Sequence, residues 1–106
     1  MAKKTLFVRI TPKPEHFAEV RERILAMVPQ TLAEPGCEIF ELHEDEAGRC
    51  LYLYESFADE EALALHLKEE YAQAVLAHYP RWLAEPMQVT TLSRLSPGNV
   101  PVSMPG

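Results

Sequence analysis

Two periodicities alternate along this sequence. In Thr5–Thr11 (TLFVRIT) β-branched and aromatic residues crowd into a short run bounded by Pro12 and Pro14, which predicts a strand. In the stretch that follows, Phe17, Val20, Ile24, Met27, Val28 and Thr31 recur at helical spacing, with Glu19, Arg21, Glu22 and Arg23 on the other side. Pro14 suits the first turn of that helix. Pro29 removes one backbone donor and is expected to kink or loosen the last turn, and Pro35-Gly36 stops it.

Two strand-like runs come next, Cys37–Glu44 (CEIFELHE) and Cys50–Phe57 (CLYLYESF), around the loop DEAGR. A five-residue connection containing Gly48 suits a hairpin. Asp59 is placed to cap a second helix, with Glu60 and Glu61 near its positive end, and that helix runs to about Lys68. A further short helical stretch covers Tyr71–Tyr79 and is expected to end at Pro80; Met87–Leu95 reads as a last strand. The order β-α-β-β-α-β predicts an α+β, ferredoxin-like domain with an antiparallel sheet.

In such a domain the helices cover one sheet face. Grouping Leu6, Val8, Ile10, Ile39, Leu51 and Leu53 on one side leaves Phe7, Phe40, Leu42, Tyr52 and Tyr54 on the other. Neither set is polar enough for water, so the second face calls for another layer, most simply a second copy packed sheet to sheet. The expectation is a homodimer, with the Pro/Gly-rich tail of residues 95–106 docked on the partner subunit.

With 106 residues the chain forms one domain, residues 1–106. The formal charge of −6, with no basic stripe, argues against nucleic acid and anionic membranes as partners. No apolar run approaches the ~20 residues of a membrane span, and the amino-terminal stretch lacks the apolar region of a signal peptide. The expected location is therefore cytoplasmic. Cys37 and Cys50 fall at opposite ends of the hairpin, roughly 20 Å apart at ~3.3 Å per residue, which predicts two buried thiols and no disulfide.

His66 is the candidate for chemistry. At ~100° per residue it shares one helix face with Ala62, Leu63 and Leu67. It fits a core histidine satisfied by a backbone carbonyl, and it fits equally a pocket base, since a neutral imidazole accepts a proton. Glu55, near the end of the third strand, could orient that imidazole or bind a substrate hydroxyl. It could also bond backbone N–H groups of the coming helix or pair with Arg9. Tyr52, Tyr54, Tyr71 and Trp82 could be core, or could stack on a flat ring and bond its oxygens. His16, His43 and His78 form no metal set with His66, and no nucleophile motif occurs. No metal or cofactor is expected.

Three segments resemble the antibiotic biosynthesis monooxygenase family, in its small quinol monooxygenase-like branch. They are Glu34–Cys37 (EPGC), Tyr54–Phe57 (YESF) and Asp59–His66 (DEEALALH), within a likeness running from about Leu6 to Leu95. The resemblance implies a dimeric α/β barrel and a cavity between helices and sheet lined by His66. It implies cofactor-free oxygenation of a quinol or polyphenol, with His66 and Glu55 as catalytic candidates. Tyr54, Phe57, Leu63, Tyr71, Phe40 and Arg9 are the candidate substrate contacts. The asparagine, tryptophan and later histidine of haem-degrading relatives do not match here, since the first strand carries Phe7, Val8 and Arg9. An isomerase acting on a carbonyl or phosphorylated sugar-like compound, or a non-catalytic binding protein, are the alternatives the fold allows.

Overall fold

The computed structural model describes residues 3–96, so most of the tail expected to dock on a partner lies outside the described residues. Four strands, β1 (Lys4–Ile10), β2 (Cys37–Glu44), β3 (Leu51–Phe57) and β4 (Gln88–Leu92), form an antiparallel sheet in the order β2-β3-β1-β4. Helices α1 (Phe17–Leu32), α2 (Glu60–Lys68) and α3 (Glu70–Trp82) complete the α+β, ferredoxin-like arrangement. No helix is long and apolar enough to cross a membrane among the described residues.

The local rules act largely where the sequence places them. Pro14 opens a 3₁₀ turn, Pro14–His16, that leads into α1. Asp59 caps α2, its Oδ1 accepting the Ala62 N–H at 2.8 Å. Gly48 takes a positive φ of 66° in the hairpin turn.

Pro80 departs from expectation: α3 continues through it to Trp82. A proline removes its own donor but leaves the residues after it free to stay helical. Burial holds them there, because Trp82 is wholly enclosed, stacked on His78 and covered by the Arg23 guanidinium. The Trp82 carbonyl also accepts the Lys13 N–H at 2.8 Å, tying α3 to the entry of α1. Pro29 is likewise inside α1, which runs three residues further; the Thr31 hydroxyl donates to the Met27 carbonyl in that last turn.

The two sheet faces differ from the sequence grouping in β2. Register pairs Leu6 with Glu55, and Glu55 with Phe40, so Phe40 and Leu42 join Leu6, Val8, Ile10, Leu51 and Leu53 under the helices. Ile39 moves to the outer face with Phe7, Tyr52 and Tyr54. The cause is the hairpin register: Glu44 pairs with Leu51, so six residues, Asp45–Cys50, make the connection instead of five, and a bulge between Cys37 and Ile39 absorbs the extra residue at the other end of β2. A one-residue change of register moves every side chain of the strand to the other face. The inner face, α1 and α3 together enclose the core of Val8, Ile10, Val20, Ile24, Leu51 and Trp82. Both cysteines are free and only half-buried.

Candidate active site

A cavity of about 340 Å³ lies between the inner sheet face and α1, α2 and α3, within the usual range for a small-molecule site. Met27, Phe40, Leu53 and Val75 make most of its wall apolar, and His66, Glu55, Tyr79 and Lys4 are the ionisable groups that line it.

His66 is 4% exposed, clamped between the rings of Phe57 and Phe40 at centroid distances of 5.1 and 5.5 Å. Its Nδ1 lies 2.9 Å from Oε2 of Glu34, which also accepts the Tyr71 hydroxyl. Against a carboxylate oxygen, Nδ1 is the nitrogen that carries the proton, which leaves Nε2 as the basic one. This is the arrangement in which a buried carboxylate fixes both the orientation and the tautomer of an imidazole. Burial, followed by the hydrogen bond to Glu34, pushes the Tyr71 phenol up and keeps it a donor.

The close approach of α2 to the β2 entry makes this contact. A Cβ placed on Gly36 would overlap that of Ala62, so the turn EPGC needs a glycine where α2 crosses it. Glu34, two residues earlier in the same turn, then falls beneath His66, four residues beyond Ala62.

Glu55 is 6% exposed and lines the cavity, with no hydrogen-bond partner among the described residues. Burial, reinforced by the negative charge of Glu34, raises its carboxyl to about 7. Neither structural role expected for it is realised. Arg9 lies on the outer face and pairs with Glu85 at 2.9 Å, and the α2 start is capped by Asp59. Tyr79, buried at the cavity wall, is pushed up by its burial and then by Glu55, so it also remains a neutral phenol.

Of the expected substrate contacts, Leu63 and Phe40 line the cavity. Phe57 supports the His66 ring from behind. Tyr71 reaches the site through Glu34. Tyr54 and Arg9 are corrected: strand alternation turns both to the outer face, away from this cavity. Glu34 and Tyr79 were not anticipated as site residues. Glu34 stood in the EPGC segment, but nothing in the spacing linked it to a histidine 32 residues on.

Cys37 is raised to about 11, mainly by burial and then by Glu34, which keeps the thiol protonated. His16 and His43 pair with Glu19 and Glu41 at the surface, and His78 stacks on Trp82. Among the described residues no three His, Cys, Asp or Glu side chains gather as a metal-binding group.

Comparison with known proteins bears on the family and the fold. The sequence profile of the antibiotic biosynthesis monooxygenase family matches residues 5–78, more than half of the chain. The chain belongs to that family. It is 30% identical over 90 residues to the Mycobacterium tuberculosis protein named "Putative monooxygenase Rv0793", a match covering 85% of this chain and 89% of that one. The solved structure of Rv0793 superposes with a TM-score of 0.86, covering 92% of this chain and 99% of the other. PA3566 from Pseudomonas aeruginosa, 27% identical, superposes at 0.84 over 91% of this chain and 97% of its own. A Nitrosomonas europaea structure named "Putative antibiotic biosynthesis monooxygenase" is 20% identical and shares the fold at a TM-score of 0.83 over 90% of this chain and 92% of that one.

Proposed function

We propose that this family member is a cofactor-independent monooxygenase that oxidises a quinol or polyphenol-like aromatic with O₂. The observation that carries the reading is the His66–Glu34 pair at the wall of an apolar cavity. A phenol placed there gives its proton to His66 Nε2, and the phenolate is electron-rich enough to pass one electron to O₂. The resulting superoxide and aryloxyl radical combine at a ring carbon to form a hydroperoxide. Loss of water, with the proton returned by His66, leaves a new carbonyl. One oxygen atom enters the product and the other leaves as water, so the substrate supplies every electron. The protein contributes desolvation, a held base and orientation by its apolar walls.

Oxygen-electrode assays over a panel of hydroquinones test this. The protein should accelerate uptake, and His66→Ala should lower the rate about a hundredfold, the lower end of what a general base contributes. An equal rate for the variant would remove His66 from the mechanism.

Glu55 favours a second reading. A carboxyl near 7 on the same cavity as a held base is an acid–base pair suited to moving a proton between carbons beside a carbonyl. Turnover that persists without oxygen would select that isomerase. For the assembly, the outer face, where Phe7 and Leu92 remain 40% and 39% exposed, supports a homodimer formed sheet to sheet.

A further inference from the structure

The cavity that His66 lines opens between the end of α2 and β4, where Leu67, Met87, Val89 and Thr91 are exposed. On this otherwise apolar lip stands one cation among the described lining residues, Lys4 at the start of β1. Lys3 next to it points to the other face and pairs with Glu38 at 3.0 Å. Lys4 makes no salt bridge among the described residues. Its inner neighbour Leu6 lies between Thr91 and Glu55 in the sheet. Two residues of strand, roughly 7 Å, thus separate the lysine from the row that carries the unpartnered Glu55 carboxyl. A fused pair of aromatic rings bridges such a gap.

We infer that Lys4 is a specificity-determining residue that selects aromatic ligands bearing an acid group. The ring lies in the cavity with its hydroxyl at His66 and its carboxylate at the mouth against the Lys4 ammonium. A neutral phenol would leave that ammonium unmatched, and a carboxylate on the apolar lip would lack a partner without it. With a net charge of −6 the chain as a whole repels anions, so the preference for an acid must arise locally at this residue. An ammonium reads charge without the fixed fork of a guanidinium, so a sulfonate should serve as well as a carboxylate.

The inference rests on the reading that the cavity takes a phenolic aromatic, and binding measured without oxygen separates the two. Anaerobic calorimetric titration of the full chain uses 1,4-dihydroxy-6-naphthoate, whose hydroxyls and carboxylate stand on different rings, and its uncharged carboxamide as probes. Wild type should bind the acid about fivefold more tightly than the amide, the range of a partly exposed ion pair, with the difference shrinking as salt is added. Lys4→Gln should abolish the difference by weakening only the acid, and Lys4→Glu should invert it. Equal binding of acid and amide by wild type, or a preference retained by Lys4→Gln, would overturn the inference. Selective binding of the acid without oxygen uptake in air would keep Lys4 and sink the oxygenase reading. Uptake with no acid preference would do the reverse.

Discussion

Glu34 holds His66 by Nδ1 and receives the Tyr71 hydroxyl on the same oxygen, so its carboxylate decides which nitrogen faces the cavity. Glu34→Gln should lower the rate of oxygen uptake at least tenfold while leaving the thermal midpoint within a few degrees. Nitrogen NMR of labelled histidine should show the tautomer ratio of His66 shift in the same variant. A variant with wild-type rate and an unchanged His66 spectrum would leave Glu34 only a structural role. Gly36→Ala acts on the same contact through the backbone: the new methyl pushes α2 outward and should cost about 1–3 kcal/mol, read by urea unfolding.

Glu55 adds a pH dependence of definite sign. Its carboxyl titrates at about 7 in the fold, against 4.5 for an ordinary glutamate. Between those values the native state holds a proton that the unfolded chain has released, so stability falls as pH rises through that window. The loss at pH 8 relative to pH 4 amounts to roughly 3 kcal/mol from this group alone. Glu55→Gln should flatten that part of the profile in urea titrations at pH 5, 6, 7 and 8. A slope identical to wild type would mean that the carboxyl is not buried as described.

At the scale of elements, the chain breaks between α2 and α3 at Glu69, whose extended ψ of 140° turns the backbone. Tyr71 follows His66 by five residues, a poor spacing on one helix. Because the two residues sit on different helices, that spacing has no force, and the turn at Glu69 swings the phenol onto Glu34. Periodicity gave the existence of both helices but no angle between them, so the shared carboxylate was not legible. The Asp59 cap was legible, since an acidic residue before Glu60 and Glu61 is a local signal. Asp59→Ala should lower stability by about 1 kcal/mol, a shift of several degrees in the thermal midpoint of a chain this size. Pro80 shows the opposite case, in which burial of Trp82 overrides a local stop signal that the sequence carries strongly.

For the whole molecule, strand order and helix packing followed from the β-α-β-β-α-β succession, whereas the inner and outer membership of β2 did not. A strand whose residues are apolar on both sides cannot announce its own face. Hence Phe40 and Ile39 exchanged places, while Tyr54 and Arg9 left the site because β3 and β1 turn their alternate residues, Leu53, Val8 and Ile10, toward the core. The outer face that gained Ile39 and the stacked Phe7–Tyr52 pair leads to an assembly test. Light scattering at micromolar concentration should give twice the monomer mass, and Phe7→Glu should shift it to the monomer while leaving the fold intact by circular dichroism. A monomer in the wild type would overturn the sheet-to-sheet dimer.

The bulge between Cys37 and Ile39 is also the one point of β2 where a change of length is absorbed. Ile39→Val removes one methylene from a half-exposed position and should be felt weakly. Deleting Glu38 would remove the extra residue and leave Cys37 with Phe57 and Ile39 with Ser56 as consecutive pairs, so both flanks would keep their faces. Deleting one residue between Phe40 and Glu44, where the pairing has no such slack, would instead turn part of the strand over. Between the bulge and the hairpin at Asp45, this protein tolerates substitutions but counts residues.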